Sequence, residues 1–63
     1  MEQENGILFQ IVTIGNSVKV TAVDEATGTE VSLVVPRNTP MLSLKLAAKR
    51  KLAYVMNKNK QSS

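Results

Sequence analysis

The chain has 63 residues, enough for one small domain, and it contains no cysteine and no histidine. Without cysteine it can form neither disulfides nor thiolate metal sites, and without histidine it lacks the commonest transition-metal ligand and general base. Hydrophobic residues make up 43% of the chain but aromatic residues only 3%, so the predicted core is aliphatic. A core this small is marginally stable on its own, and oligomerisation is a common source of further stability.

The net charge of +3 is unevenly distributed along the chain. Residues 1–36 hold five acids and one base (1 − 5 = −4), whereas residues 37–63 hold seven bases and no acid (+7). Such asymmetry is typical of a segment that contacts an acidic partner, and equally of a helix and tail that carry solubilising charge. Both interpretations stay open at this point.

No apolar run approaches the roughly 18 residues of a membrane span, and the N-terminus lacks the basic start of a signal peptide. We therefore expect a cytoplasmic protein with no membrane contact. A single domain is predicted over residues 1–63, with an ordered core from about residue 7 to 57 and flexible termini at 1–6 and 58–63.

Three strands are predicted in the first half of the chain, at Ile7–Ile14, at Ser17–Asp24 and from residue 30 to Pro36. Gly15-Asn16 is a two-residue hairpin signal that suits a type II′ or type I′ turn. The second connection is predicted as a four-residue loop from residue 25 to 28. It would place Gly28 in a left-handed conformation, and Asp24 could accept hydrogen bonds from the turn backbone.

These two turns set the register, because paired residue numbers must then sum to 31 and to 53. Both registers place the same apolar residues on one side of the sheet. We call this side face A: Phe9, Ile11, Val18, Val20, Ala22, Val31, Leu33 and Val35. The opposite side, face B, is mixed: Leu8, Gln10, Val12, Ile14, Lys19, Thr21, Val23, Glu30, Ser32 and Val34.

A helix is predicted from Thr39-Pro40 to about Met56 or Asn57. Its core stripe, which should cover face A, is Met41, Leu44, Ala48, Leu52 and Val55. A second apolar stripe lies away from that direction: Leu42, Leu46, Ala53 and Met56. The predicted fold is thus α+β, a three-stranded antiparallel β-meander with one C-terminal helix packed on one face (β-β-β-α).

The sequence contains no motif typical of catalysis, since it has no P-loop, no G-x-G-x-x-G and no spaced metal ligands. Asp24, Glu25 and Glu30 surround one hairpin and could hold a divalent ion weakly, but turn chemistry and solubility explain them better. We therefore predict a protein that is not an enzyme, without metal, cofactor or small-molecule substrate.

Face B is half apolar, although no other predicted element covers it. This pattern indicates a protein-interaction module, either a homodimer or a complex with another protein. The predicted interface residues are Leu8, Val12, Ile14, Lys19, Val23, Val34 and Leu46.

Nucleic-acid binding by the basic helix is the alternative, since clustered positive charge attracts phosphate in a salt-dependent, sequence-independent way. The residues concerned are Lys45, Lys49, Arg50, Lys51 and Lys58. Plant ethylene-response-type and integrase arm-binding domains share the three-stranded architecture and read DNA with the exposed sheet face, but face B has Lys19 as its only base. The last two strands and the helix also resemble the C-terminal half of a double-stranded RNA-binding domain.

A closer resemblance covers about residues 7 to 56. It rests on the pattern F-x-x-x-x-I-G-N-S-V-K-V-T-A-V-D-x-A-T-G-T-E-V-S and, after a Pro-containing linker, on L-K-x-x-A-x-R-K-L-x-Y-V. This pattern resembles a family of very small uncharacterised alphaproteobacterial proteins, some of which have carried a serine hydroxymethyltransferase label that so short a chain does not justify. The resemblance supports the fold and implies no known activity.

Overall fold

The computed structural model describes residues 2–61, including the side chains of residue 3 and residues 5–58. The elements follow in the order β1 (Glu2–Glu4), β2 (Ile7–Ile14), β3 (Ser17–Asp24), β4 (Glu30–Pro36) and α1 (Met41–Gln61). The strands form one antiparallel sheet in the order β1-β2-β3-β4. The predicted β-β-β-α arrangement is confirmed by β2, β3, β4 and α1.

The short strand β1 adds to the three predicted strands, and it lies in the segment that the sequence assigned to a flexible terminus. It pairs with the start of β2, from Glu4 opposite Ile7 to Glu2 opposite Phe9. The connecting Asn5 and Gly6 have φ angles of 51° and 77°. Two consecutive positive φ angles are what a type I′ hairpin turn requires, and Asn-Gly reaches them at low cost. The turn therefore accounts for β1, since its polar sequence offers no apolar alternation.

Both predicted registers are confirmed. Ile14 pairs with Ser17 across the first turn, where Gly15 has a φ of 58° as a type II′ turn requires. Val23 pairs with Glu30 at the second connection, where Gly28 has a φ of 76°. Since the register is correct, each strand residue lies on the predicted side of the sheet.

The core lies between face A and α1, which packs against β3 and β4. Ile7, Ile11, Leu33, Val35, Val55 and Met56 pack around it while partly buried. The fully buried residues all belong to face A or to the predicted helix stripe: Phe9, Val18, Val20, Ala22, Val31, Leu44, Ala48 and Leu52.

Three details of the helix differ from the sequence prediction. Met41, predicted to be in the core, is 51% exposed, because it is the first residue of α1 and precedes the turn that reaches the sheet. Met56, predicted to lie away from the core, packs against it. The helix also continues to Gln61, since the lysines and glutamine of this segment are good helix formers and no Gly or Pro interrupts it.

Candidate functional site

Face B is the open side of the sheet, because α1 covers only face A. Three of its aliphatic side chains are strongly exposed: Val12 by 43%, Ile14 by 58% and Val34 by 65%. The remaining two, Leu8 and Val23, are half-buried. Face B therefore combines a regularly paired backbone with aliphatic side chains that are open to solvent.

The strand register arranges face B in cross-strand rows, which we name by position. The apolar row, near the Gly15-Asn16 turn, is Val12, Lys19 and Val34, with Ile14 beside it. The polar row, in the middle of the sheet, is Gln10, Thr21 and Ser32. The acidic row, at the other end, is Leu8, Val23 and Glu30.

Two of the three residues of the polar row, Thr21 and Ser32, are partners in a hydrogen bond. The hydroxyl oxygens of Thr21 and Ser32 lie 3.0 Å apart, within hydrogen-bonding distance, and both residues are partly buried. A second surface could therefore cover these two hydroxyls without leaving either of them without a partner. These two residues in the middle of face B are thus compatible with burial.

The charges of face B lie in different rows. Lys19 sits between the two valines of the apolar row, and Glu30 lies in the acidic row on the neighbouring strand. Rows two apart are separated by four residues along a strand, about 13 Å. This is too far for an ion pair within one copy, so each charge is available to a second surface.

The loop that follows Asp24, between β3 and β4, is organised by its own hydrogen bonds. The carboxylate of Asp24 accepts bonds from the backbone N–H of Thr27 at 3.0 Å and from the Thr27 hydroxyl at 2.8 Å. This is the turn role predicted for Asp24. Among the residues that the structure describes, no group of three or more His, Cys, Asp or Glu side chains could hold a metal ion.

The structure brings six of the seven predicted interface residues together on face B and separates the seventh. Leu46 belongs to α1, on the opposite side of the sheet. There it lines an open groove of about 480 Å³ whose walls are Met41, Leu42, Lys45, Leu46 and Lys49. The groove is a second surface, distinct from face B. The sequence prediction wrongly placed Leu46 in the same interface as the face B residues.

The basic residues of α1 do not share one surface. Lys45 lies on the β2 side, with its ammonium 5.8 Å from the centre of the Phe9 ring. Lys51 lies on the β4 side, where it donates a 2.8 Å hydrogen bond to the Ser32 carbonyl. At 100° per residue, Lys49 falls near Lys45 and Arg50 falls between the two sides. Lys58 follows about 20 Å beyond Lys45 along the axis.

The contact between Lys51 and Ser32 also identifies the free edge of the sheet. Within the described residues β4 pairs only with β3, so the Ser32 carbonyl that Lys51 reaches points away from β3. Such an edge can pair with another strand, and a lysine that blocks it is a common protection against edge-to-edge association. Face B is therefore a more open surface for association than the β4 edge.

Within residues 2–61, no helix is both long enough and apolar enough to cross a membrane.

Comparison with known proteins identifies the family. The family model described as a domain of unknown function (DUF6898) matches residues 4–59, from the last residue of β1 to near the end of α1. No curated protein and no solved structure matches the chain significantly. The match supports the resemblance to a small family without a known activity. The chain belongs to the DUF6898 family.

Proposed function

We propose that this domain acts by self-association rather than by catalysis, with face B of one copy covered by face B of a second copy. The observation that carries the proposal is the exposure of Val12, Ile14 and Val34 on one side of a regular sheet. Solvent-exposed aliphatic residues that adjoin one another on a rigid surface are typical of protein interfaces.

The size of face B sets the expected strength of the association. Eight residues at about 3.3 Å and three strands about 4.8 Å apart give a footprint of roughly 26 by 14 Å. This is less than the roughly 800 Å² per partner that a standard interface buries. We therefore expect a dissociation constant in the micromolar range, so the dimer should dissociate on dilution.

Burial of the exposed aliphatic side chains supplies the driving force. Complete burial of a Val or Ile side chain contributes about 1.5–3 kcal/mol. The loss of translational and rotational freedom on association costs about 4–15 kcal/mol. A symmetric dimer buries six such side chains, each already about half-buried, for roughly 5–9 kcal/mol. This gain is of the same order as the cost, which again favours a weak dimer supported by the rest of face B.

Sedimentation velocity over a concentration series tests the proposal, with Val34→Glu as the disruptive variant. Position 34 is opposite Lys19, so the new carboxylate has a cation beside it in the folded monomer. Leu42→Glu is the matched control, because it introduces the same charge on α1 at a residue that is 81% exposed.

The wild type and Leu42→Glu should shift from monomer to dimer as the concentration rises through the micromolar range, and Val34→Glu should stay monomeric. Circular dichroism should show that all three are folded. A wild type that is folded and monomeric up to millimolar concentration would rule out self-association. Equal dimerisation of Val34→Glu and the wild type would rule out face B as the interface.

Nucleic-acid binding is the second candidate, favoured by the absence of acids and the presence of six bases in Met41–Gln61. It is less well supported, because Lys45 and Lys51 lie on opposite sides of the helix. A titration with a fluorescent DNA duplex at low salt tests it. Binding that weakens with salt and is lost in Lys49→Glu would favour this function, and no binding would exclude it.

A further inference from the structure

We infer that the two copies are related by a two-fold axis that runs across the strands at the polar row, so that Lys19 of each copy meets Glu30 of the other. This inference rests on the self-association proposed above and adds the arrangement of the partner. It follows from where the register places the charges of face B.

A symmetric pair of face-to-face sheets has two simple arrangements. Aligned sheets keep their strand directions within about 30° of each other. The two-fold axis lies between the sheets, because the same surface of both copies forms the contact. The axis can therefore run along the strands or across them, and these choices bring different rows of face B together.

An axis along β3 would place each row of one copy against the same row of the other copy. Lys19 would then face Lys19 of the second copy in the middle of the apolar row, with Val12 and Val34 on both sides. Two ammonium groups in a site with little water repel each other and also lose hydration. The two valines that favour burial therefore flank the lysine whose charge opposes this arrangement.

An axis across the strands at the polar row exchanges the two ends of face B. The apolar row of each copy then lies over the acidic row of the other, which contains Leu8 and Val23. Lys19 of one copy then comes within reach of Glu30 of the other copy, which lies one strand spacing to the side. Aliphatic residues meet aliphatic residues at both ends, and each charge meets its opposite.

The polar row of one copy then lies over the polar row of the other copy, at the axis. Thr21 and Ser32 are suited to this place, because their hydroxyls already lie at hydrogen-bonding distance within one copy. Since Lys19 and Glu30 are too far apart to pair within a copy, the two pairs between copies are new contacts that form only on association. The dimer should consequently weaken as salt is added.

Charge reversal at the two positions tests the arrangement. Lys19→Glu places a second carboxylate against Glu30 of the other copy, and Glu30→Lys places a second ammonium group against Lys19. Each variant alone should therefore dimerise at least tenfold more weakly than the wild type. In an equimolar mixture of the two single variants, both contacts of a heterodimer join opposite charges, one between the two reversed residues and one between the native Lys19 and Glu30, so the mixture should dimerise with an affinity close to that of the wild type.

The double variant Lys19→Glu with Glu30→Lys gives the same match in a homodimer, because both contacts between its two copies again join opposite charges. It should dimerise with an affinity within a few-fold of the wild type, whereas each single variant stays weak. Recovery in the double variant is the result that a merely structural effect of either substitution would not give.

Arg50→Glu is the control for net charge, because it makes the same change as Lys19→Glu on the exposed side of α1. It should dimerise like the wild type. Sedimentation velocity gives the affinities of all the variants, and circular dichroism shows that each one is folded.

The outcomes separate the arrangement from the dimer itself. Heterodimers of the wild type with Lys19→Glu that are tighter than either homodimer would place Lys19 against Lys19 and overturn the inference, while face B would stand as the interface. Unchanged affinity in both single variants, or no recovery in the double variant, would also overturn it. A wild type without any dimer refutes the proposed function and is recognised before the variants are compared.

Discussion

The two faces of the sheet use alternate residues of the same three strands, but one face is buried and the other is exposed. Val18, Val20 and Ala22 on β3 are buried beneath α1, whereas Lys19 and Thr21 between them face away from it. Face A is apolar and closed, and face B is mixed and open. A single register decides both compositions at once, so the side that stabilises the fold and the side that is free to associate are specified together.

This difference implies a division of roles. The free energy of folding should depend on contacts between face A and α1, because these contacts contain the fully buried side chains. Changes on face B should have small effects on the monomer and larger effects on association. The following substitutions test this division, from the largest expected effect on stability to the smallest.

The largest loss is expected when a helix residue that covers face A is truncated. Leu52 is 2% exposed, and Leu52→Ala should lower the free energy of unfolding by about 2–5 kcal/mol through lost burial and a residual cavity. Leu42→Ala removes the same atoms from an exposed position and should cost less than about 0.5 kcal/mol. Urea denaturation at one fixed protein concentration measures both. Equal losses in the two variants would contradict the division.

The next-largest loss is expected at Gly28, in the loop that sets the register of β3 and β4. Its φ of 76° is unfavourable for a residue with a Cβ, so Gly28→Ala should destabilise the domain by about 1–2 kcal/mol. A Cβ at this position would meet no other atom, so strain in the backbone is the only cause. Gly28→Asn should recover part of the loss, because Asn tolerates this conformation. If Ala and Asn give the same thermal denaturation midpoint, strain is not the cause.

A smaller effect is expected from the polar row of face B. Thr21→Val and Ser32→Ala each remove one partner of the 3.0 Å contact, and a double-mutant cycle should give a coupling of about 0.2–1 kcal/mol. The double variant should therefore lose less stability than the sum of the two single variants. Strictly additive losses would show that the two hydroxyls do not interact in solution.

The smallest effect is expected at the β4 edge. Lys51 donates one exposed hydrogen bond to the Ser32 carbonyl, so Lys51→Met should cost about 0.5 kcal/mol, the lower limit for such a bond. Lys58→Met removes the same charge further along α1 and serves as the control. A loss above roughly 2 kcal/mol for Lys51→Met would assign this exposed edge a role comparable to that of the core.

Much of the fold could be predicted from the sequence because two turns and one apolar pattern agree. Gly15-Asn16 and the loop that ends at Gly28 independently lead to the same face A. The strand β1 was missed although its signal is present, since Asn5-Gly6 is a strong hairpin pair that joins segments without apolar alternation. Sequence patterns based on hydrophobicity do not detect a strand that is held by its turn and its backbone.

The candidate site was only partly predictable. Alternation placed Val12, Ile14 and Val34 on one face, because the side of a strand residue follows from its register alone. The position of Leu46 depends on how α1 lies on the sheet, which periodicity does not determine, so the sequence grouped it with face B. The surface that covers face B also belongs to a second molecule. The sequence of one chain indicates that surface only through the charges and apolar residues that it would have to match.

The central claim, that face B is buried by a second copy, is tested most directly by an isotope-filtered NMR experiment. An equimolar mixture of ¹³C-labelled and unlabelled protein, at a concentration where dimers form, reports only contacts between copies. We predict intermolecular contacts from the methyl groups of Val12, Ile14 and Val34, chiefly to Leu8 and Val23. Contacts restricted to Leu42 and Leu46, or a dimer with none from face B, would contradict the claim.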